Sequence, residues 1–186
     1  MEPLFLLLVS ALLFTQAWHL LGFFTYPRSP GIGAVVLSVA LLATAVLESL
    51  SSPILVNPDT TTMVIAVRGF IILWAVYAAV YGASALWRFE ARALGVHALF
   101  LSIMSLAMVG MPYVYTETQV SYDAQIVLGT AALILAVLTA ILFMHLAIPI
   151  RRMRAITGWL MLIGSMVIGV LGIVVFYGIF DTVAVI

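Results

Sequence analysis

The chain has no cysteine, no lysine and few charges of either sign. Seven arginines and seven acidic residues make up 8% of its 186 residues, whereas a soluble domain carries about 25% charged residues because its surface faces water. The lack of cysteine excludes disulfides, thiolate metal sites and cysteine nucleophiles. Because the charges balance, no basic surface is available for nucleic acid, which is therefore not an expected partner.

Apolar residues take the place of the missing charges. They make up 66% of the chain, and the mean hydropathy is +1.30. Such a surface needs lipid as its solvent, so we expect a multi-pass protein of the cell membrane with the lipid bilayer as a partner. The first 22 residues could be taken for a signal peptide, but they carry Glu2 and no arginine before the apolar run. We interpret them as the first membrane helix.

Six stretches of the chain are long and apolar enough to cross a bilayer. A hydrocarbon core about 30 Å thick needs about 20 apolar residues in a helix, and the loops between the stretches are marked by proline, asparagine and arginine. The predicted fold is all-α, a single six-helix transmembrane domain over residues 1–186. The stretches are Leu4–Phe24, Gly31–Leu50, Met63–Trp87, Ala93–Tyr115, Ala124–Ile150 and Ala155–Phe180.

The arginines predict the orientation of this domain. Six of the seven lie in alternate loops, and the seventh, Arg68, lies inside the third helix. By the positive-inside rule, loops 1, 3 and 5 are cytoplasmic and both termini are extracytoplasmic. The loop arginines are Arg28, Arg88, Arg92, Arg151, Arg152 and Arg154; the other loops and the ends carry Glu2, Asp59, Glu117, Asp123 and Asp181.

The arginine clusters also indicate an internal repeat. They recur about every 60 residues, and each closes a hairpin of two helices. Three such hairpins related by an axis along the membrane normal would leave that axis as a path across the membrane. Small residues four apart, Ala78 and Gly82 in helix 3 and Ser165 and Gly169 in helix 6, indicate where helices touch. An even spacing of six helices would give the same period without a repeat.

Two charged residues within the spans predict an ion pair near the outer side. Arg68 lies about six residues inside helix 3, and Glu48 lies near the end of helix 2 across a short loop. A buried arginine is costly in lipid, and a glutamate at the same depth would offset much of that cost. The pair could be purely structural, Arg68 could extend its head group to the interface, or the pair could belong to an outer vestibule.

Three histidines share one depth near the inner side. His19, His97 and His145 each lie about five residues from the cytoplasmic end of a helix. If they converge, they could bind a metal, ligate a haem or titrate near neutral pH. The simpler interpretation gives each imidazole a hydroxyl or water partner at the interface, and no ligand spacing in the sequence supports a metal. We therefore expect no cofactor, with haem or metal at this layer as the alternative.

Gln16, Tyr77 and Tyr81 are the candidates for lining a path. Tyr77 and Tyr81 are four residues apart and share one face of helix 3. An amide and hydroxyls can replace the water around a small neutral molecule, while aromatic walls exclude ions. Packing with one hydrogen bond is the other interpretation of such tyrosines. The spans hold neither a carboxylate pair nor a serine–histidine arrangement, so we do not expect an enzyme.

Short motifs along the chain resemble those of one family of membrane channels. They are Pro27-Arg28-Ser29 after the first helix, Val76-Tyr77-Ala78-Ala79 with Trp87-Arg88 and Leu99-Phe100 in helices 3 and 4, and Leu138-Thr139-Ala140 with Ile148-Pro149-Ile150 in helix 5 and its turn. With these motifs the chain resembles the urea and short-chain amide channel family (AmiS/UreI). The resemblance implies three two-helix hairpins around a central pore, with both termini outside.

The fifth helix departs from that family. Its members typically carry a glutamate and pore-lining tryptophans there, whereas residues 128–145 contain neither. Of the candidate residues, Tyr77 and Gln16 are near family-like positions.

These observations support a passive channel for a small neutral solute such as urea, a short-chain amide or ammonia, assembled as a homo-oligomer. The alternative is a non-catalytic membrane subunit of a larger complex, for which a respiratory complex is one option. A third interpretation is a redox protein that holds haem or metal at the histidines.

Overall fold

The helices follow the six apolar stretches. The computed structural model describes residues 2–23, 26, 28–51, 58–87, 91–114, 122–147 and 151–177; within its helices, the side chains of residues 2–3, 48–51, 58–64, 91, 111–114, 122–125 and 151–152 lie outside the description. These residues form α1 (Glu2–Leu21), α2 (Arg28–Ser51), α3 (Pro58–Trp87), α4 (Ala91–Val114), α5 (Tyr122–Ala147) and α6 (Arg151–Phe176). Each contains a stretch long and apolar enough to span a membrane. The predicted all-α, six-helix membrane fold is confirmed.

Several helices begin earlier than the apolar stretches predicted. α2 begins at Arg28 instead of Gly31, α3 at Pro58 instead of Met63, and α6 at Arg151 instead of Ala155. A helix can continue past the hydrocarbon core because its hydrogen bonds are internal, and proline suits the first turn, where its missing N–H is not needed. Hydropathy marks only the part in lipid. The predicted end of the sixth stretch, residues 178–180, lies outside the described residues.

The helices form a closed ring around a common axis. Each helix contacts the helices before and after it in the chain, and α6 contacts α1. Contact is most extensive within α2/α3, α4/α5 and α6/α1, which we call the close pairs. It is smaller between α1 and α2, α3 and α4, and α5 and α6, which we call the seams. The tightest packing therefore joins consecutive hairpins, and the two helices of each predicted hairpin meet at a seam.

Three glycines hold the close pairs together in the same way. Gly31, Gly95 and Gly158 are 64 and 63 residues apart, and each lies in the first or second turn of its helix. A Cβ on each would lie 3.0 to 3.3 Å from the Cβ of Ala85, Leu146 and Leu20 respectively, on the last turns of α3, α5 and α1. Any side chain at these positions would move the neighbouring helix by a few tenths of an ångström, so glycine permits the closest approach of the backbones.

Serine hydroxyls join the same pairs one level deeper. Ser38 Oγ donates to the Ala75 carbonyl at 2.8 Å, and Ser102 Oγ donates to the Ala136 carbonyl at 2.9 Å. Each serine lies seven positions after the glycine of its own helix, and Ser165 follows Gly158 at the same offset. In the third pair the direction is reversed, because Ser10 Oγ donates to the Ser165 carbonyl at 2.8 Å. The repeat of about 60 residues is therefore a repeat of structure.

Arg154 fastens α6 to the last turn of α1, at the end of the ring that we call the arginine end. α1 stops at Gly22, whose φ of +84° suits glycine. Gly22 N–H donates to His19 O, and Phe23 N–H to Trp18 O, each at 3.1 Å, the bonds of a Schellman motif. Arg154 Nε donates to Leu20 O at 2.8 Å and its Nη2 to His19 O at 3.3 Å. The guanidinium thus binds carbonyls that carry the negative end of the α1 dipole.

Candidate functional site

One side of α3 carries a column of buried aromatic rings. Phe70, Trp74, Tyr77 and Tyr81 are spaced four, three and four residues apart, so they share one helix face, which we call the aromatic face. Phe70 and Trp74 have ring centroids 6.4 Å apart, and Trp74 and Tyr77 have centroids 5.7 Å apart, both edge to face. All four side chains are buried.

The aromatic face looks into the interior of the ring. α2 lies between α1 and α3, yet side chains of α1 reach those of α3 directly. Phe5 and Phe70 meet edge to face with centroids 5.7 Å apart, and Gln16 Nε2 donates to Tyr77 Oη at 2.8 Å. Because these contacts pass α2 without involving it, they lie on the axis side of the ring. Gln16 and Tyr77 are 2% and 1% exposed.

Among the described side chains of this region, three polar atoms have no hydrogen-bond partner. They are the Gln16 Oε1, the Trp74 Nε1 and the Tyr81 Oη, and each is buried. An unpartnered polar atom away from water costs about 1–3 kcal/mol, so each of these atoms would gain from a hydrogen-bonding guest. They supply an acceptor, a donor and a group that does both, and the Tyr77 hydroxyl can still donate its own hydrogen. A small neutral molecule with donors and acceptors matches this set.

The corresponding positions on α5 are apolar. Ala75 on α3 and Ala136 on α5 are equivalent, because each carbonyl accepts a hydrogen bond from the serine of its close pair. By the same offset, Trp74, Tyr77 and Tyr81 correspond to Leu135, Leu138 and Leu142. The buried Thr139 donates to the Leu135 carbonyl of its own helix at 2.7 Å, so its hydroxyl is occupied. Polar groups therefore come from α1 and α3, and α5 contributes leucines where the family resemblance implies a glutamate and tryptophans.

The structure brings two of the three predicted lining residues into direct contact. Gln16 and Tyr77 are hydrogen-bonded, and Tyr81 lies one turn along the same face. Their part in conducting a solute stays a prediction. Trp74 was missed because a tryptophan in a membrane helix is usually ascribed to packing. The signal that could have found it is its spacing of three and seven residues from the two tyrosines.

The histidines have different surroundings. His97 is exposed, and its Nδ1 lies 3.2 Å from the Ala93 carbonyl of its own helix. His19 and His145 are half-buried, each with a buried Nδ1 that lacks a hydrogen-bond partner, and both lie within electrostatic range of Arg154. The part of the chain that the structure describes holds no group of three histidine or acidic side chains arranged for a metal. A haem at this layer stays an untested alternative.

Only one of the two side chains of the predicted outer ion pair, Arg68, is among the described residues. Arg68 is buried on α3, half a turn before the aromatic face begins at Phe70. The side chain of Glu48 lies outside the described residues. Its pairing with Arg68 therefore stays a prediction.

Comparison with known proteins identifies the fold. No family model matches the chain, and no curated protein matches it in sequence. The Helicobacter pylori urea channel, solved by electron cryomicroscopy in its closed state, has the same fold with a TM-score of 0.73 at 16% identity, over 95% of this chain and 98% of that channel. The predicted remote resemblance, with three hairpins around an axis, is confirmed at the level of the fold.

Proposed function

We propose that the protein is a passive channel for a small neutral solute such as urea, a short-chain amide or ammonia. The observation that carries the proposal is the set of unpartnered buried atoms on Gln16, Trp74 and Tyr81, beside the axis of a closed helix ring. These groups can replace part of the hydration of a neutral polar molecule. The fold shared with a urea channel supports the same class of function.

Selectivity follows from how little polarity the interior offers. Gln16 and the aromatic face provide neutral hydrogen-bonding groups, and the matching positions of α5 are leucines. A few neutral donors and acceptors replace only a small part of the hydration of an ion, and burying a charge without a partner costs far more than burying a hydrogen-bonded amide. A neutral solute would therefore pass and an ion would be excluded.

Uptake into proteoliposomes tests the proposal. The purified protein is reconstituted, and the entry of urea, acetamide and ammonia is followed by light scattering or internal pH against protein-free liposomes. We expect faster entry of at least one of these solutes and no added permeability to sodium or chloride. Equal rates with and without protein for all three solutes would contradict the proposal. Co-purification of redox subunits from native membranes would support the alternative of a structural subunit.

The proposal includes the setting of the channel. We place it in the cell membrane with its arginine end in the cytoplasm and both termini outside, because positive charge is retained on the cytoplasmic side. Protomers that each hold their own path would assemble into a symmetric ring. Crosslinking in native membranes measures that assembly.

A further inference from the structure

The close pairs are the most tightly packed units of the ring. In each of them a glycine removes the side chain that would keep the backbones apart, and a serine hydroxyl binds a carbonyl of the other helix at 2.8 to 2.9 Å. Arg154 adds two hydrogen bonds to the α6/α1 pair. The seams have less contact, so relative movement is expected there, between units rather than within them.

The Gln16–Tyr77 hydrogen bond joins two of these units across the interior. Gln16 belongs to the α6/α1 pair and Tyr77 to the α2/α3 pair. Both side chains are almost fully buried, and the atoms that bond are the same amide and hydroxyl that would face a passing solute. A bond at this place holds two units together and occupies the path.

The other two junctions between units lack this bond. By the repeat, the counterparts of Gln16 and Tyr77 are Tyr81 and Leu138 at the second junction, and Leu142 and Leu12 at the third. Leucine offers neither donor nor acceptor, which explains why the buried Tyr81 hydroxyl has no partner. Among these described residues, one junction is therefore hydrogen-bonded, the second holds only the Tyr81 hydroxyl, and the third is apolar.

We propose that the Gln16–Tyr77 hydrogen bond is a latch between two rigid helix pairs, and that the solute itself releases it. The inference rests on the proposed channel function. A solute with a carbonyl oxygen accepts from the Gln16 amide, and its N–H groups donate to the Tyr77 oxygen, so one protein bond is exchanged for two solute bonds of the same kind. A molecule that forms no hydrogen bonds cannot make this exchange, and it meets a closed junction.

Variants that remove the bond distinguish a latch from a grip on the solute. Gln16→Met keeps the length of the side chain without its hydrogen bonds, and Tyr77→Phe removes only the hydroxyl. If the bond holds the path shut, each variant speeds urea entry into proteoliposomes severalfold, and the double variant is no faster than either single one because both remove the same bond. Gln16→Asn is also faster, since it keeps an amide but shortens its reach. Tyr177→Phe, at an exposed tyrosine, is the matched control and leaves the rate unchanged.

The outcomes separate the latch from the channel. Slower urea entry in both single variants, with normal entry in the wild type, would overturn the latch and leave the channel standing. A double variant whose effect is the product of the single effects would also overturn it. If neither the wild type nor any variant conducts, the channel itself is contradicted. Size-exclusion chromatography and thermal unfolding confirm that each variant compared is folded, and Gln16→Asn, the mildest change, decides the question if Gln16→Met does not fold.

Discussion

At the residue scale, the interior of the ring is defined by a few neutral polar atoms in an apolar setting. Trp74 and Tyr81 keep a buried N–H and a buried hydroxyl without partners. Within a membrane bundle, polar side chains contribute modestly to association, about 0.6 kcal/mol on average for a hydrogen bond between helices. Unpartnered groups contribute nothing to it, which agrees with their proposed role as hydrogen-bonding groups for a solute.

The first prediction removes these atoms one at a time. Tyr81→Phe and Trp74→Phe each keep a ring and delete one hydrogen-bonding group. A solute beside that position loses a hydrogen bond of about 1 kcal/mol, so we expect urea entry into proteoliposomes to fall about fivefold. Tyr177→Phe, at an exposed position, serves as the control. Unchanged entry in both variants would show that these atoms do not meet the solute.

The second prediction concerns the close approach of α2 and α3. A Cβ on Gly82 would lie 2.7 Å from Val35 Cγ2 and 2.8 Å from the Gly31 carbonyl oxygen, which is backbone and cannot move alone. Gly82→Ala should therefore lower the free energy of unfolding by about 1–3 kcal/mol. Gly69→Ala on the same helix meets nothing within 4 Å and should be neutral or stabilising by up to about 1 kcal/mol.

Thermal unfolding in detergent measures both glycine variants under identical conditions. Equal stability of Gly82→Ala and Gly69→Ala would contradict the need for glycine where α2 and α3 approach.

Some of these residues could be predicted from the sequence and others could not. Gln16, Tyr77 and Tyr81 stand out in the sequence because polar groups are rare in membrane helices. Gly82 stands out because small residues mark helix contacts, and in the structure Gly82 does face α2. Depth along a helix can be counted from the sequence, whereas direction depends on packing. The exposed position of His97 and the hydrogen bond between Gln16 and Tyr77 therefore needed the fold to reveal them.

At the element scale, the close pairs are the units of the fold. Loop lengths and arginines predict which helices follow one another as hairpins, and that order is correct. They do not predict that α2 packs most closely on α3 and α6 on α1. The contacts that set this pairing are those of three glycines with Ala85, Leu146 and Leu20. Two of the glycines contact the next helix in the chain, and the third, on α6, contacts α1. The arginines also give a slightly different repeat length, because Arg92 and Arg154 are 62 residues apart whereas Gly95 and Gly158 are 63 residues apart.

The third prediction uses the natural absence of cysteine to test the close pairs. Cysteine pairs at Gly31 and Ala85, Gly95 and Leu146, and Gly158 and Leu20 place Cβ atoms 3.0 to 3.3 Å apart. Disulfides have Cβ separations of about 3.5–4.5 Å, so shifts of a few tenths of an ångström suffice. We expect all three cysteine pairs to form disulfides readily. Solute entry should be unchanged, because each disulfide joins the two helices of one close pair.

Disulfide formation is measured with a maleimide-linked polymer, which raises the mass of the protein at each free thiol and does not react with a disulfide. Gly95→Cys with Ala85→Cys is the mismatched control, since α3 has no atom within 4 Å of a Cβ on Gly95. Efficient bonding in the mismatched pair, or its failure in the three matched pairs, would contradict the pairing.

At the scale of the whole molecule, the fourth prediction concerns orientation in the membrane. Glu2→Cys lies at the start of α1, and Ser29→Cys is exposed at the arginine end. Because arginine-bearing loops stay in the cytoplasm, an impermeant maleimide added to intact cells should label Glu2→Cys directly and Ser29→Cys only after permeabilisation. The wild type supplies the unlabelled control. The reverse pattern would invert the direction of the path and the placement of both termini.

The ring is closed by the contact between α6 and α1, and that has a consequence for biogenesis. A membrane chain is inserted from its N-terminus, so α1 enters the bilayer before the other described helices, and α6 enters after them. α6 therefore arrives after α1 has been inserted, although it accepts the hydrogen bond of the Ser10 hydroxyl and donates from Arg154 to the carbonyls of α1. Until then the Ser10 hydroxyl and the last carbonyls of α1 have only lipid or transient neighbours. A nascent chain of this design would rely on the insertion machinery to shelter that helix, and translation stalled before α6 would leave it a ready target for membrane quality control.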